Sequence, residues 1–232
     1  MHSHITHLYA LLETAKEQGV PECYVHFFGD GRDTAPRSAN KYAQELLEFM
    51  DKLQYGKIAT IVGRYYAMDR DKRWERVETA VKGLVNGDGE KVDDAVKAIE
   101  KRYEQDETDE FLKPIILGGE ASRIKGKYDP SSSGTCIPMR DVEDDTLFFF
   151  NYRSDRMREI VSIFGVDSKP VKVQIPSGLV GCTTVGLLSR KFDGHYSTSL
   201  PCRDTTPNFF SLSPSLRKAW LTSSPSGSPR RE

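Results

Sequence analysis

The sequence predicts an α/β fold in which a mainly parallel sheet carries helices on both faces, a three-layer αβα arrangement. Short apolar runs rich in β-branched and aromatic residues alternate along the chain with amphipathic stretches of helical period, as is typical of such sheets. The chain has 232 residues, of which 38% are hydrophobic and 29% charged. This length and composition indicate a globular protein with one large domain, or one domain with an appendage.

The first helix and strand follow directly from residue spacing. Apolar residues recur on one face of a helix predicted from Ile5 to Gly19, where the glycine stands at the expected C-cap. A β-rich apolar run from Cys23 to Phe28 predicts the first strand, and it ends in Gly29-Asp-Gly31, a sequence typical of a turn.

The same cycle of helix and strand repeats further along the chain. Ala35 to Leu53 has apolar residues at helical spacing, and Ile58 to Val62 is a continuous apolar run, as expected for a strand covered on both faces. The remaining predicted elements are helices over 71–84, 92–104 and 155–164 and a strand over 146–150.

The composition changes abruptly near Pro176. Residues after this point are rich in Ser and Thr and contain repeated prolines, which reduces both apolar burial and the supply of backbone donors. We therefore predict a folded domain over 1–176 and a poorly ordered C-terminal tail over 177–232.

Charge and cysteine content exclude several classes of protein. The 33 basic and 34 acidic residues give a net charge of -1, hence no general attraction to nucleic acid or anionic lipid. No apolar run is long enough to cross a bilayer, and the first residues do not resemble a signal peptide. The four cysteines lie far apart, without zinc-ligand spacing. We expect a cytoplasmic protein with reduced thiols and no nucleic-acid or membrane partner.

Arginines follow three of the predicted strands, at the edge where open α/β sheets bind their ligands. They occur in the sequences Gly29-Asp-Gly-Arg-Asp-Thr34, Gly63-Arg-Tyr-Tyr-Ala-Met-Asp-Arg-Asp71 and Asn151-Tyr-Arg-Ser-Asp-Arg156. If the three strands share a sheet, these arginines converge, and their guanidinium groups suit carboxylate or phosphate oxygens. The pattern predicts a small, highly anionic ligand at Arg32, Arg64, Arg70, Arg153 and Arg156.

A simpler interpretation is that the arginines only solvate loops. Each of them has an aspartate nearby with which it could pair, at positions 33, 69, 71 or 155. The same placement after three separate strands favours the anion site over this alternative. Two glycines alone, without a third at a helix start, do not indicate a dinucleotide site.

Asp33 is the carboxylate to which we assign a chemical role, since it would lie among cations close to a substrate hydroxyl. The alternative is an acid at the N-terminus of the helix that starts at Ala35. His2, His4 and His7 are crowded, but they match no metalloprotease pattern and include no carboxylate, which favours exposed histidines at a helix start. We predict a core histidine at His26.

Four motifs in this sequence resemble those of the cofactor-independent (2,3-bisphosphoglycerate-independent) phosphoglycerate mutases. They are His2-Ser-His4, His26 to Thr34, Gly63 to Asp71 and Asn151 to Arg156, and the resemblance extends from His2 to about Pro176. It implies that Asp33 moves the hydroxyl proton of the substrate. The residues that it implies for phosphoglycerate binding are His2, Arg32, Asp33, Arg64, Arg70, Arg153, Ser154, Asp155 and Arg156.

The resemblance also implies an activity. These enzymes are similar to alkaline phosphatases and interconvert 3-phosphoglycerate and 2-phosphoglycerate in glycolysis through a phosphorylated serine. One of their two domains carries that serine and two manganese ions (Mn2+), and the other holds the glycerate. This chain resembles the glycerate-holding domain, so we expect it to bind phosphoglycerate. We also expect it to be a monomer.

The chain also departs from the family. It begins at the His2 motif, and after Ile175 it no longer resembles the family, so the nucleophilic serine and the metal ligands are expected to be missing. We therefore expect a fragment that holds no metal and is inactive alone. The alternatives are a non-catalytic module that binds phosphoglycerate or a similar anion, and an inert product of a truncated or frameshifted gene.

Overall fold

The computed structural model describes residues 3–124, 146–165, 183–186 and 218–223 of the chain. Its helices are α1 (Ile5–Glu17), α2 (Ala39–Leu53), α3 (Arg64–Ala67), α4 (Trp74–Asn86), α5 (Ala95–Glu104) and α6 (Arg158–Gly165). Its strands are β1 (Glu22–Gly29), β2 (Lys57–Gly63), β3 (Glu90–Val92), β4 (Ile115–Leu117), β5 (Thr146–Phe149), β6 (Thr183–Gly186) and β7 (Lys218–Ser223). Short 3₁₀ turns lie at Asp109–Phe111, Glu120–Ser122 and Ser154–Arg156.

The strands of these described segments form a single sheet in the order β3-β4-β2-β1-β7-β5-β6. Neighbouring strands run parallel, except that β2 and β4 are antiparallel. The carboxyl ends of β1, β2 and β5 consequently lie at the same edge of the sheet. The α/β fold predicted from the sequence is confirmed.

Helices cover both faces of the sheet. Val25 and Phe27 of β1 pack with α1, α2 and α5, whereas Tyr24 and Phe28 of the same strand pack with α3, α4 and α6. Successive side chains of a strand point to opposite faces, so a strand that is apolar throughout is buried from both sides. This accounts for the continuous apolar runs and gives the three layers.

Gly19 terminates α1 as predicted. Its φ of 73° lies in the left-handed region, and its N–H donates to the carbonyl of Lys16 at 3.0 Å. Glycine adopts this conformation without the steric cost of a Cβ atom, which makes it the usual residue just after a helix.

Helix α2 begins at Ala39, four residues after the predicted start at Ala35. The carboxylate of Asp109, far away in sequence, accepts hydrogen bonds from the backbone N–H groups of Ser38 and Ala39, each at 2.9 Å. Tyr103 donates a further hydrogen bond to this carboxylate. Burial raises the pKa of Asp109, although these hydrogen bonds act to lower it. A cap supplied by tertiary contact leaves no local sequence signal.

Other boundaries also differ by a few residues. Helix α4 begins at Trp74 instead of 71, and α5 begins at Ala95 because the side chain of Asp94 caps it by accepting the N–H groups of Val96 and Lys97. Helix α6 begins at Arg158, after the 3₁₀ turn that takes the place of its predicted first turn. Strands β3 and β4, of three residues each, were not predicted.

Two strands come from the region predicted as a poorly ordered tail. Strand β7 lies between β1 and β5 and runs parallel to both, with Leu221 in register with Val25 and Phe148. Strand β6 pairs with β5. Residues 177–182, 187–217 and 224–232 lie outside the described residues, and the division of the chain at 176 stays a prediction.

His26 is a core histidine, as predicted. It is fully buried in β1, and its Nδ1 lies 2.7 Å from the hydroxyl oxygen of Thr60 on the neighbouring strand β2. Burial lowers the pKa of His26 to about 3, because the charged imidazolium would lose its hydration. The ring is therefore neutral at physiological pH and serves the packing of the sheet.

The stability of the domain should fall as the pH is lowered below about 6.5, the ordinary pKa of histidine in an unfolded chain. Between that pH and about 3, the unfolded state binds a proton at His26 that the folded state excludes. The free energy of unfolding should decrease by about 1.4 kcal/mol per pH unit from this group. Urea unfolding at several pH values between 7 and 5 measures the slope.

The variant His26→Gln is the control, since its side chain keeps a hydrogen-bonding group but does not titrate. The part of the pH dependence of the unfolding free energy that is due to His26 should be absent in the variant. An identical pH dependence in both proteins would contradict the assignment.

Candidate anion-binding site

The predicted arginines lie at the carboxyl edge of the sheet. The turn after β1 carries Arg32, helix α3 after β2 begins with Arg64, and the 3₁₀ turn after β5 ends with Arg156. Arg70 follows α3, and Arg153 precedes the 3₁₀ turn. The parallel order of the strands therefore brings residues that are distant in sequence to one edge.

Arg64 and Asp30 form a buried ion pair at the base of the site, with side chains only 5% and 1% exposed. Arg64 Nη1 also lies 3.5 Å from Asp33 Oδ2. The same Asp30 oxygen that pairs with Arg64 accepts the backbone N–H groups of Arg32 and Asp33, each at 3.3 Å. Asp30 thus fixes both the arginine and the turn that carries Arg32 and Asp33.

Asp30 was missed in the sequence analysis. Its signal was a carboxylate between two glycines directly after a strand, where a side chain readily accepts hydrogen bonds from the following backbone. The sequence drew attention to Asp33 instead, because it adjoins an arginine.

Asp155 bridges two arginines at the mouth of the site. Arg70 Nη1 donates to its Oδ2, and Arg153 Nε donates to its Oδ1, both at 2.9 Å. Burial would raise the pKa of Asp155, but the hydrogen bonds and charges of Arg153 and Arg70 outweigh that effect and hold it below its usual range. The side chains of Arg70 and Arg153 remain 42% and 45% exposed, so solutes have access to them.

Arg156 lies where positive charge is in excess. Its Nη1 donates to the carbonyl of Met68 at 3.1 Å, and its buried Nε has no hydrogen-bond partner among the described residues. Burial lowers the pKa of Arg156, and the charges of Arg70, Arg64 and Arg153 lower it further, against the opposing charge of Asp155. An anion placed here would relieve this repulsion and satisfy the guanidinium donors.

A 3₁₀ turn, Asp109–Phe111, crosses the ends of β1 and β2 beside the site. It passes so close that a Cβ atom at Gly63 would lie 2.3 Å from the carbonyl oxygen of Glu110, and one at Gly29 would lie 2.6 Å from another backbone oxygen of the turn. Glycine is therefore required at both strand ends. The Glu110 carboxylate lies 3.7 Å from Arg32, whose side chain is 55% exposed.

The two interpretations of the arginines are both represented in the structure. Arg70 and Arg153 pair with Asp155, as the loop alternative proposes, whereas Arg64 is buried and pairs mainly with Asp30, which that alternative did not include. At the same time Arg64, Arg70 and Arg153 lie close enough to Arg156 to lower its pKa, as the anion site requires. Arg70 and Arg153 can therefore pair with a carboxylate and still lie beside each other, because Asp155 binds both of them.

The remaining candidate residues have different positions. Ser154 begins the 3₁₀ turn, and its carbonyl accepts the Met157 N–H at 3.1 Å. Asp33 lies six residues before α2, so the alternative of a helix N-terminal acid is wrong; Asp109 takes that place. The side chain of Asp33 is 41% exposed. His2 lies outside the described residues.

The other histidines near the start contact the first helix and the site. His4 Nδ1 caps α1 by accepting the Thr6 N–H at 3.3 Å. The exposed ring of His7 meets Tyr152 edge to face, with 5.5 Å between centroids.

Among the described residues, no group of three or more His, Cys, Asp and Glu side chains is placed to hold a metal ion. No helix in the described part of the chain is long and apolar enough to cross a membrane.

These features define an α/β domain whose parallel strands deliver a cluster of arginines to one sheet edge. Residues 1–184 match the family described as the BPG-independent PGAM N-terminus, where PGAM denotes phosphoglycerate mutase. The chain belongs to this family, and the resemblance seen in the sequence is confirmed.

Individual relatives agree with the family match. The chain is 51% identical over 170 residues to a 2,3-bisphosphoglycerate-independent phosphoglycerate mutase of Caenorhabditis elegans, covering 72% of this chain and 28% of that protein. It is 52% identical over 169 residues to the mutase of Onchocerca volvulus, covering 72% of this chain and 29% of the relative. The chain thus spans less than a third of the length of these relatives.

A solved structure shows the same fold. The crystal structure of Leishmania mexicana phosphoglycerate mutase at low cobalt concentration matches with a TM-score of 0.61 and 27% sequence identity. The match covers 74% of this chain and 30% of that protein.

Proposed function

We propose that this domain binds phosphoglycerate for a cofactor-independent phosphoglycerate mutase, at the cluster of Arg64, Arg70, Arg153 and Arg156. The observation that carries the proposal is the excess positive charge around Arg156, whose buried Nε has no partner among the described residues. Phosphoglycerate carries a phosphate and a carboxylate. Both are groups that guanidinium forks bind with paired hydrogen bonds.

The accessible arginines supply the contacts. Arg70 and Arg153 each direct one nitrogen to Asp155 and keep nearly half of their side-chain surface exposed, which leaves donors for an anion. Arg32 adds an exposed guanidinium after β1. The Asp155 carboxylate keeps this cluster of like charges together in the absence of ligand.

Asp33 is the carboxylate that we propose to hold or move the proton of the substrate hydroxyl. It is partly exposed and lies 3.5 Å from the buried Arg64 guanidinium, at the edge where the ligand would bind. Its backbone is fixed by Asp30, so its position is set before the ligand arrives.

The full reaction, an interconversion of 3-phosphoglycerate and 2-phosphoglycerate in glycolysis, is a property that we propose for the longer proteins of this family. The described residues provide no group of side chains that fits a manganese ion, so we assign this domain no step through a metal. We propose that phosphoryl transfer takes place in the part of the relatives that this chain does not cover. The domain would then contribute substrate binding in the cytoplasm.

Calorimetric titration of 3-phosphoglycerate into the whole chain tests the binding. The double variant Arg153→Ala plus Arg156→Ala should weaken the affinity by about 100-fold or more, since each charge-assisted hydrogen bond contributes about 1.5–3 kcal/mol. The matched control, Lys41→Ala plus Lys97→Ala, removes two positive charges from exposed helix surfaces and should bind like the unaltered chain.

An equal loss of affinity in both double variants would show only a general charge effect and would contradict the site. A chain that unfolds cooperatively but binds no phosphoglycerate would favour the inert alternative.

A further inference from the structure

The segment from Met68 to Arg73 carries Arg70 and lies against the region that follows β5. Two of its contacts belong to the anion site, namely the Met68 carbonyl with Arg156 and the Arg70 guanidinium with Asp155. A third contact lies outside that site, where the backbone N–H of Lys72 donates to Glu159 Oε1 at 2.9 Å.

Glu159 is unusual for a glutamate because it is buried, with 8% of its surface exposed. Its second oxygen, Oε2, has no hydrogen-bond partner among the described residues. A buried carboxylate without full hydrogen bonding destabilises the folded state, so the presence of a glutamate at this position calls for a physical explanation.

A second buried carboxylate, Asp69, organises the same segment from within. Its Oδ2 accepts the backbone N–H groups of Asp71 and Arg73 at 2.9 and 3.0 Å, and its Oδ1 lies 3.5 Å from Arg76 of α4. Lys72, between these donors, has a φ of 59°, in the left-handed region that non-glycine residues rarely adopt. The segment is therefore held in a strained conformation by two acidic side chains.

The charges around Glu159 are mainly negative. Burial raises the pKa of its carboxyl group, the Lys72 N–H opposes this, and the negative charges of Asp69 and Asp71 raise it further. Arg76 faces Asp69 and places one positive charge beside this cluster. A proton on Glu159 removes the repulsion between its carboxylate and that of Asp69.

We propose that Glu159 is a positioning residue for the anion site: by binding the Lys72 N–H beside Asp69, it fixes the segment 68–73 and with it the guanidinium of Arg70. This inference rests on the proposed function, because the ligand that Arg70 is positioned to bind is phosphoglycerate. Glu159 acts through Arg70 and does not touch the ligand.

The test compares Glu159→Ala with Glu159→Gln in calorimetric titrations of 3-phosphoglycerate at neutral pH. Loss of the contact in Glu159→Ala should weaken binding about three- to tenfold, the range for one ordinary hydrogen bond. Glutamine mimics the protonated carboxyl group and should restore the affinity. Glu104→Gln, at an exposed glutamate on α5, is the matched control and should bind like the unaltered chain.

A double-mutant cycle separates positioning from general stability. In an Arg70→Ala background, Glu159→Ala should have no further effect on affinity, because the residue that it positions is gone. Additive losses would overturn the proposal.

Amide hydrogen exchange of Lys72 in the chain without ligand gives an independent readout. Exchange should be faster in Glu159→Ala and normal in Glu159→Gln. Unchanged exchange would overturn the positioning role alone, whereas absence of binding by the unaltered chain would overturn the proposed function.

Discussion

Replacing Asp30 with alanine should destabilise the domain by about 3–5 kcal/mol, the cost of removing one partner from a buried ion pair. The reason is that Arg64 is 5% exposed and would keep its charge without its main acceptor. The backbone N–H groups of Arg32 and Asp33 would also lose the oxygen that they share. Urea unfolding followed by circular dichroism measures the change.

Asp33→Ala is the matched control for this prediction. Asp33 also faces Arg64, but at 3.5 Å and with 41% of its side chain exposed, so its loss should cost no more than about 1 kcal/mol. The Asp30 variant should therefore lose far more stability than the Asp33 variant, although both carboxylates face the same arginine. Equal destabilisation by both would show that Asp30 has no special place in the site.

Removing β7 should have an equally large effect. Truncation after residue 217 deletes a strand that pairs with six residues of β1 and four of β5. Both neighbours would become open edges inside a sheet, and their backbone groups would lose their hydrogen bonds. We expect the free energy of unfolding to fall by about 5 kcal/mol or more, which is the whole stability of many domains. The truncated chain should therefore show no cooperative unfolding transition.

Truncation after residue 223 is the control, because it keeps β7 and removes only residues 224–232. This shorter chain should unfold like the full chain. A synthetic peptide of residues 215–226 added to the chain 1–217 should restore cooperative unfolding. Cooperative unfolding of the chain 1–217 without the peptide would show that the sheet does not depend on β7.

The arginine cluster could be predicted from the sequence because it depends on two local signals and one general rule. Apolar runs mark β1, β2 and β5, arginines follow each of them, and parallel strands in such folds end at the same edge. The arginines that meet at this edge could therefore be named without knowledge of any tertiary contact.

The long-range contacts that support the site could not be predicted in this way. Asp109 caps α2 and Glu159 binds the Lys72 N–H across long stretches of sequence, and neither contact has a local pattern. Strand β7 was missed for a similar reason: its neighbours in the sheet lie far away in the chain, and the Ser and Pro content around it dominated the composition. Only the fold reveals such partners.

A crystal structure of the chain with 3-phosphoglycerate is the most direct test of the arginine cluster as the binding site. We expect phosphate and carboxylate oxygens within hydrogen-bond distance of Arg70, Arg153 and Arg156, with Asp155 sharing its two arginines with the ligand. A ligand bound elsewhere, with the pairs of Asp155 to Arg70 and Arg153 unchanged, would contradict it.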